Sequence, residues 1–215
     1  MQATRFIGPG TGVLAVIAVV VSQGISGSIE SEPTDSTATI MAEFRTTSDD
    51  IEFGAVVGVL ALGLLLLFLA HLRTRFHDGG ARWAGDLMSL GGATLAAAVM
   101  IVIAARLAGA EAGENAHNDV VHGVVDFLWN GAWLFTPGLL ALGVGICVAA
   151  FGHHVLPVWL GVFGVLVAVG AIMPWIGLPL FVLWVLAAAV TEIVGLARTP
   201  APGDDPVDTR VPVAH

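Results

Sequence analysis

Six long apolar stretches run through this 215-residue chain, and they restrict it to one class of fold. Each stretch has eighteen or more mostly apolar residues, enough for a helix that crosses a hydrocarbon core of about 30 Å. We therefore predict an all-α, polytopic membrane helix bundle. Its six transmembrane helices lie at residues 6–25, 53–72, 83–107, 122–151, 155–173 and 178–196.

The composition supports this prediction and excludes several functional classes. Charged residues make up only 12% of the chain, about half of their share in soluble domains. A soluble fold would have to bury more apolar surface than a chain of this size can cover. The single cysteine, Cys147, excludes an intramolecular disulfide, and the net charge of -9 argues against nucleic acid as a partner.

The arginines predict the orientation of the bundle. Six spans leave both chain ends on one side of the membrane, and that side carries most of the basic residues. The positive-inside rule places it in the cytoplasm, as in a multi-pass inner-membrane protein with both termini inside. The residues on this side are Arg5, Arg73, Arg75, Arg82, Arg198 and Arg210, against Arg45 and Arg106 on the other.

The segments outside the spans have their own signals. Residues 28–50 form an acidic extracytoplasmic loop. Within it we predict a short helix at residues 36–45, capped by Ser36, with an apolar stripe of Ile40, Met41 and Phe44 that lies on the outer membrane surface. Residues 199–215 are rich in Pro and Asp without periodicity, so we expect a disordered cytoplasmic tail.

The first apolar segment permits two interpretations. It resembles a cleaved signal peptide, since Arg5 precedes an apolar run that small residues follow. We favour a retained helix, because the segment has the roughly twenty residues that a membrane span requires.

The fourth segment carries an unusual polar face. Asp126, Asn130, Trp133 and Pro137 follow one another at helical spacing. If this face turns to the centre of the bundle, it forms a polar pathway, and Pro137 kinks the helix.

Charged and polar residues cluster near both membrane surfaces. The predicted outer cluster is Glu52, Arg106, His122, Asp126 and Asn130. An unpaired charge in a bilayer costs several kcal/mol, so we predict that Arg106 pairs with Asp126 or with Glu52 and clamps two helices together.

The predicted inner cluster is Asp86, Arg82, Glu192 and Arg198. Asp86 is expected to pair with Arg82, four residues before it. Glu192 has two interpretations. It is a proton or cation relay, or it is a structural residue that extends toward water at the membrane surface or forms a helix–helix hydrogen bond.

Signals for a cofactor or for catalysis are weak. His117, Asp119 and His122 are the best candidates for metal ligands, but the usual spacings of paired histidines are absent and we predict no metal. Nucleotide-binding loops, a nucleophile elbow and buried paired histidines for haem are also absent, so we expect no cofactor.

Three stretches carry a resemblance to a known group: Phe44-Arg45, residues 62–73 and residues 156–161. They resemble a group of small bacterial multi-pass membrane proteins classed as a domain of unknown function. In that group an arginine commonly follows the Leu-Pro pair, where this chain has Val158. The resemblance implies a multi-pass bundle and brings no activity or site residues.

These observations lead to one functional expectation and two alternatives. We expect a non-catalytic accessory, scaffold or regulatory protein, whose partners are the lipid bilayer and another membrane protein or a second copy of itself. The first alternative is a small transporter or channel with a polar pathway along the fourth helix. The second is a membrane-embedded enzyme that acts on lipid at the outer cluster.

Overall fold

The computed structural model of the protein describes residues 6–27, 29–115 and 117–198, apart from the side chains of Asn118 and Asp119. Within these ranges the regular secondary structure is entirely helical, as predicted. Arg5 and the predicted tail at residues 199–215 lie outside the described residues. The α-helices are α1 (Ile7–Ser26), α2 (Thr37–Thr46), α3 (Ser48–Asp78), α4 (Arg82–Glu114), α5 (Asn118–Asn130), α6 (Thr136–Cys147), α7 (Val158–Gly170) and α8 (Pro174–Arg198).

Five helical segments are long and apolar enough to cross a membrane. They are α1, α3, α4, α8 and the composite segment Val120–Gly152, in which a 3-10 turn joins α5 to α6 and a π-turn follows α6. The remaining apolar helix, α7, has 13 residues and a length of about 20 Å. It is shorter than a hydrocarbon core of about 30 Å, so the predicted span at residues 155–173 is only partly helical.

Six helices of the bundle form a closed ring. In order around the ring, α1 packs against α3, α3 against α4, α4 against α6, α6 against α7, and α7 against α8, which returns to α1. One apolar cluster fills the interior, and its largest members are fully buried. They are Trp184, Phe68, Phe76, Phe181, Leu69, Leu72, Met88, Leu139 and Leu142.

Helix α1 is an integral part of this ring. Gly12 lies against Phe68 of α3 and Ala189 of α8. At the other end of α1, the hydroxyl of Ser22 donates a hydrogen bond of 2.7 Å to the carbonyl oxygen of Gly54. Helix α1 therefore covers faces of α3 and α8 in this structure, and the retained-helix interpretation stays a prediction.

Two predicted loops are largely helical. The gap between the predicted second and third spans, residues 73–82, shrinks to residues 79–81, because Leu72 and Phe76 are fully buried and continue α3. In the predicted loop at residues 108–121, α4 continues to Glu114 past Gly109 and Gly113, which Phe44 covers, and α5 begins at Asn118. At 31 and 33 residues, α3 and α4 are about 46 and 50 Å long, longer than a hydrocarbon core.

Helix α2 packs on protein, which corrects the prediction that its apolar stripe lies on the membrane surface. The predicted cap is present, since Ser36 accepts a hydrogen bond from the backbone N–H of Thr39. Ile40 and Phe44 are fully buried. They belong to a second apolar cluster, formed with the start of α3, the end of α4 and α5, whose other buried members are Ile51, Ala110, Ala112, Val121, Val124 and Val125. We call this end of the bundle the cap end.

The opposite end is the arginine-rich end, which holds Arg73, Arg75, Arg82 and Arg198. The first turn of α1 and the last turns of α8 both lie at this end, since Gly8 lies against His71 and Glu192 pairs with Arg75. The described ends of the chain therefore lie at the same end of the bundle.

Candidate functional site

The arginine-rich end holds an ion pair between α3 and α8. The Arg75 guanidinium pairs with the Glu192 carboxylate. Glu192 is only 5% exposed and is the one charged side chain among the buried residues that the structure describes, whereas Arg75 is half-buried. Arg75 therefore neutralises the carboxylate that the sequence marked as a relay candidate, and Arg198 makes no ion pair within the described ranges.

A second ionic group lies on the surface of the same end. Asp86 accepts a hydrogen bond of 2.8 Å from Nε of Arg73 and lies 3.1 Å from Nε2 of His77. The predicted Asp86–Arg82 pair is therefore wrong. The reason is that α3 continues as a helix through this region and packs closely on Gly85, which brings two groups from α3 to the carboxylate.

His71 was not predicted as a site residue. Its Nε2 is buried without a hydrogen-bond partner among the described residues, and its ring lies against Gly8 of α1. Arg75 follows His71 by four residues, so both side chains lie on the same face of α3. The spacing alone is visible in the sequence, but the burial depends on how α1 packs.

The predicted Arg106 pairs are wrong. Arg106 donates a hydrogen bond of 3.1 Å to the carbonyl oxygen of Gly27, and neither Glu52 nor Asp126 lies within ion-pair distance of it. Gly27 ends α1, and the last carbonyl groups of a helix have no partner within it. Arg106 therefore donates to a free carbonyl group at the C-terminal end of α1, where the helix dipole favours a positive charge. It does not pair with a carboxylate.

The polar face of the fourth segment turns outward from the bundle. Asp126, Asn130, Trp133 and Pro137 are all exposed, and Trp133 is 59% exposed. The Asn130 side chain donates a hydrogen bond of 3.0 Å to the backbone carbonyl of Asp126. Pro137 lies in the first turn of α6, directly after the 3-10 turn that interrupts the fourth segment. We call Asp126, Asn130 and Trp133 the outward polar face.

The remaining candidates do not meet at one site. Nε2 of His122 lies 2.9 Å from the hydroxyl of Thr37, which ties α5 to α2. His117 is exposed, and the side chain of Asp119 lies outside the described residues. In the part of the chain that the structure describes, no three His, Cys, Asp or Glu side chains group as metal ligands.

Hydrogen bonds that the sequence did not predict hold the cap end together. The Glu43 carboxylate accepts hydrogen bonds from the backbone N–H groups of Glu30 and Ser31, at 2.6 and 2.9 Å. The Ser48 hydroxyl donates to the Glu114 carboxylate at 2.7 Å. The partners are 12 to 66 positions apart, so no local pattern reveals them.

An apolar groove lies between α3 and α4 on the surface of the bundle. Glu52 lies at its cap end, and its apolar lining consists of Ala55, Val56, Val59 and Leu60 of α3 with Met100, Ile103, Ala104 and Leu107 of α4. Glu52 is exposed and takes part in no ion pair among the described residues. The groove is therefore an apolar surface that ends at a carboxylate.

The arginine-rich end holds paired carboxylates, the outward polar face presents a carboxylate and an amide, and the groove presents apolar side chains. No protein-family model, no curated protein and no solved structure matches this chain.

Proposed function

We propose that the protein is a multi-pass protein of the inner membrane that serves as a non-catalytic accessory or scaffold subunit. In this proposal six helices cross the bilayer, with α7 extended by its flanking residues to complete the fifth crossing. The arginine-rich end faces the cytoplasm, because Arg73, Arg75, Arg82 and Arg198 lie there, against Arg45 and Arg106 nearer the cap end. The resemblance to the multi-pass group without known activity belongs to the same proposal.

The observation that carries the proposal is the filled interior of the ring. Trp184, Phe181 and Met88 are buried at its centre, and the Nε1–H of Trp184 donates to the carbonyl oxygen of Leu160 at 3.2 Å. A transport pathway requires polar groups around a hydrated channel. Here the buried carboxylate of Glu192 is neutralised by Arg75, and the polar face of the fourth segment points outward.

The outward polar face supports a docking role. Polar groups on a membrane helix are unfavourable next to lipid and favour contact with another protein. The partner that fits is a membrane helix with an arginine or lysine at the depth of Asp126. A symmetric contact with a second copy fits less well, because it would place two Asp126 carboxylates together without a cation.

A photocrosslinking experiment tests this function. A photoreactive amino acid replaces Trp133 in cells that express the protein at its native level, and Leu67, which is 60% exposed on α3, provides the matched control. We expect one discrete adduct with another membrane protein from position 133 and none from position 67. The adduct should disappear in the Asp126→Ala, Asn130→Ala double variant.

Two results would contradict the proposal. Equal adducts from both positions would show that contacts are unspecific, and an adduct that consists only of two copies of this chain would assign the face to self-association. The transporter and lipid-enzyme alternatives stay predictions.

A further inference from the structure

The groove between α3 and α4 has the shape of a site for one alkyl chain. Glu52, Val56 and Val59 lie at helical spacing along α3, opposite Met100, Ala104 and neighbouring residues of α4. Val56 and Met100 are 60% and 43% exposed, so the groove opens sideways, where lipid chains surround a membrane protein. From Glu52 to Leu60 it extends about 12 Å, close to the thickness of one leaflet of a core of about 30 Å.

The cap end of the groove carries negative charge. Glu52 is exposed and forms no ion pair among the described residues, and Asp49 and Asp50 precede it in the first turn of α3. Arg106 does not neutralise it, since its guanidinium is directed to Gly27. An occupant therefore needs an apolar chain and a cationic group at the membrane surface.

We propose that this groove binds an aminophospholipid such as phosphatidylethanolamine, with one acyl chain between α3 and α4 and the ammonium group on the Glu52 carboxylate. A primary ammonium donates charged hydrogen bonds to a carboxylate. A choline head group carries charge without N–H donors, and phosphatidylglycerol has no cation. The proposal does not depend on the outward polar face, which lies on α5 and the following 3-10 turn.

The test compares the lipids that remain bound to the full-length protein. The protein is purified in detergent, exposed to equal amounts of phosphatidylethanolamine, phosphatidylcholine and phosphatidylglycerol, and examined by native mass spectrometry. We expect the protein to retain phosphatidylethanolamine about fivefold more than either other lipid, the size expected for one partly solvated, charged N–H hydrogen bond, which neither other head group can form. Glu52→Gln should remove this preference and leave total lipid retention nearly unchanged.

Filling the groove provides the second arm of the test. Ala104→Trp should reduce retention of all three lipids, whereas Ala97→Trp, at an exposed position of α4 outside the groove, should not. Equal retention of the three lipids by the unmodified protein, or an unchanged preference in Glu52→Gln, would overturn the proposal. Because Glu52→Gln preserves size at an exposed position, its result stands even if Ala104→Trp fails to fold.

Discussion

The two residues of an ion pair can differ in how much stability is lost when each is replaced, and the Arg75–Glu192 pair is an example. Glu192 is buried, whereas Arg75 reaches water with about half of its side chain. Removing Arg75 leaves a buried carboxylate without a counter-charge, while removing the charge of Glu192 leaves a cation that water can solvate. The two substitutions should therefore be unequal, although they break the same ion pair.

We predict that Arg75→Ala lowers the free energy of unfolding by about 2–4 kcal/mol, and Glu192→Gln by about 1 kcal/mol. The double variant should be more stable than Arg75→Ala alone, because the buried charge is gone. Arg73→Ala is the matched control: it breaks an exposed pair with Asp86 and should change the free energy of unfolding much less than Arg75→Ala. Denaturant unfolding in micelles measures all four, and equal effects of Arg75→Ala and Arg73→Ala would contradict the prediction.

At the scale of helices, glycines set how closely the elements approach. A Cβ atom on Gly91 of α4 would lie 2.8 Å from the carbonyl oxygen of Gly138 on α6, and one on Gly138 would lie 2.9 Å from the backbone nitrogen of Leu95. Both obstacles are backbone atoms, which cannot rotate away as a side chain does. Small residues at helix contacts are the usual means by which membrane helices pack closely.

Gly91→Ala should therefore separate α4 from α6 and lower the free energy of unfolding by about 1–3 kcal/mol. Gly63→Ala on α3 is the control, because a Cβ there meets no atom within 4 Å. It should leave the free energy of unfolding unchanged or slightly higher, since alanine favours helix over glycine. If the two variants unfold alike, helix approach at Gly91 does not limit stability.

At the scale of the whole molecule, the two ends of the bundle differ in structure and in charge. The cap end contains a second apolar cluster around Phe44 and its own hydrogen bonds, such as Ser48 to Glu114. Helices α3 and α4 are long enough to project beyond the hydrocarbon core and hold α2 between their ends. In the proposed orientation the cap end lies at the outer membrane surface and the arginine-rich end at the cytoplasmic surface.

Single cysteines introduced into a Cys147→Ser background should report this orientation. A membrane-impermeant maleimide should label Asp49→Cys in intact cells, and Gly80→Cys and His153→Cys only after the membrane is permeabilised. The reverse pattern would contradict the proposed orientation. Met173→Cys, between α7 and α8, tests the fifth crossing: labelling in intact cells supports six spans, and protection from the reagent would show that this hairpin stops within the bilayer.

Local properties of the sequence determined that the chain is all-helical and where most of its helices lie. Apolar run length predicted the long helices, and Ser36 with the spacing of Ile40 and Phe44 predicted α2, because hydropathy and capping depend on residues close together in the chain. Helices α3 and α4 extend beyond their predicted C-terminal ends. Phe76 is buried in the bundle and keeps the last turns of α3 helical, and Phe44 packs on Gly109 and Gly113 in the last turns of α4.

Only the tertiary structure decided which charges meet and which faces turn inward. Arg106 was expected to pair with a carboxylate but contacts the end of α1, and Asp86 was expected to pair with Arg82 but contacts Arg73. Glu192 had no single predicted partner and contacts Arg75. Each residue along a helix turns about 100° around its axis, so the partner depends on helix rotation and packing. The spacing of polar residues gives neither the rotation of a helix nor its packing. The sequence therefore showed that the fourth segment has a polar face, but not that this face turns outward.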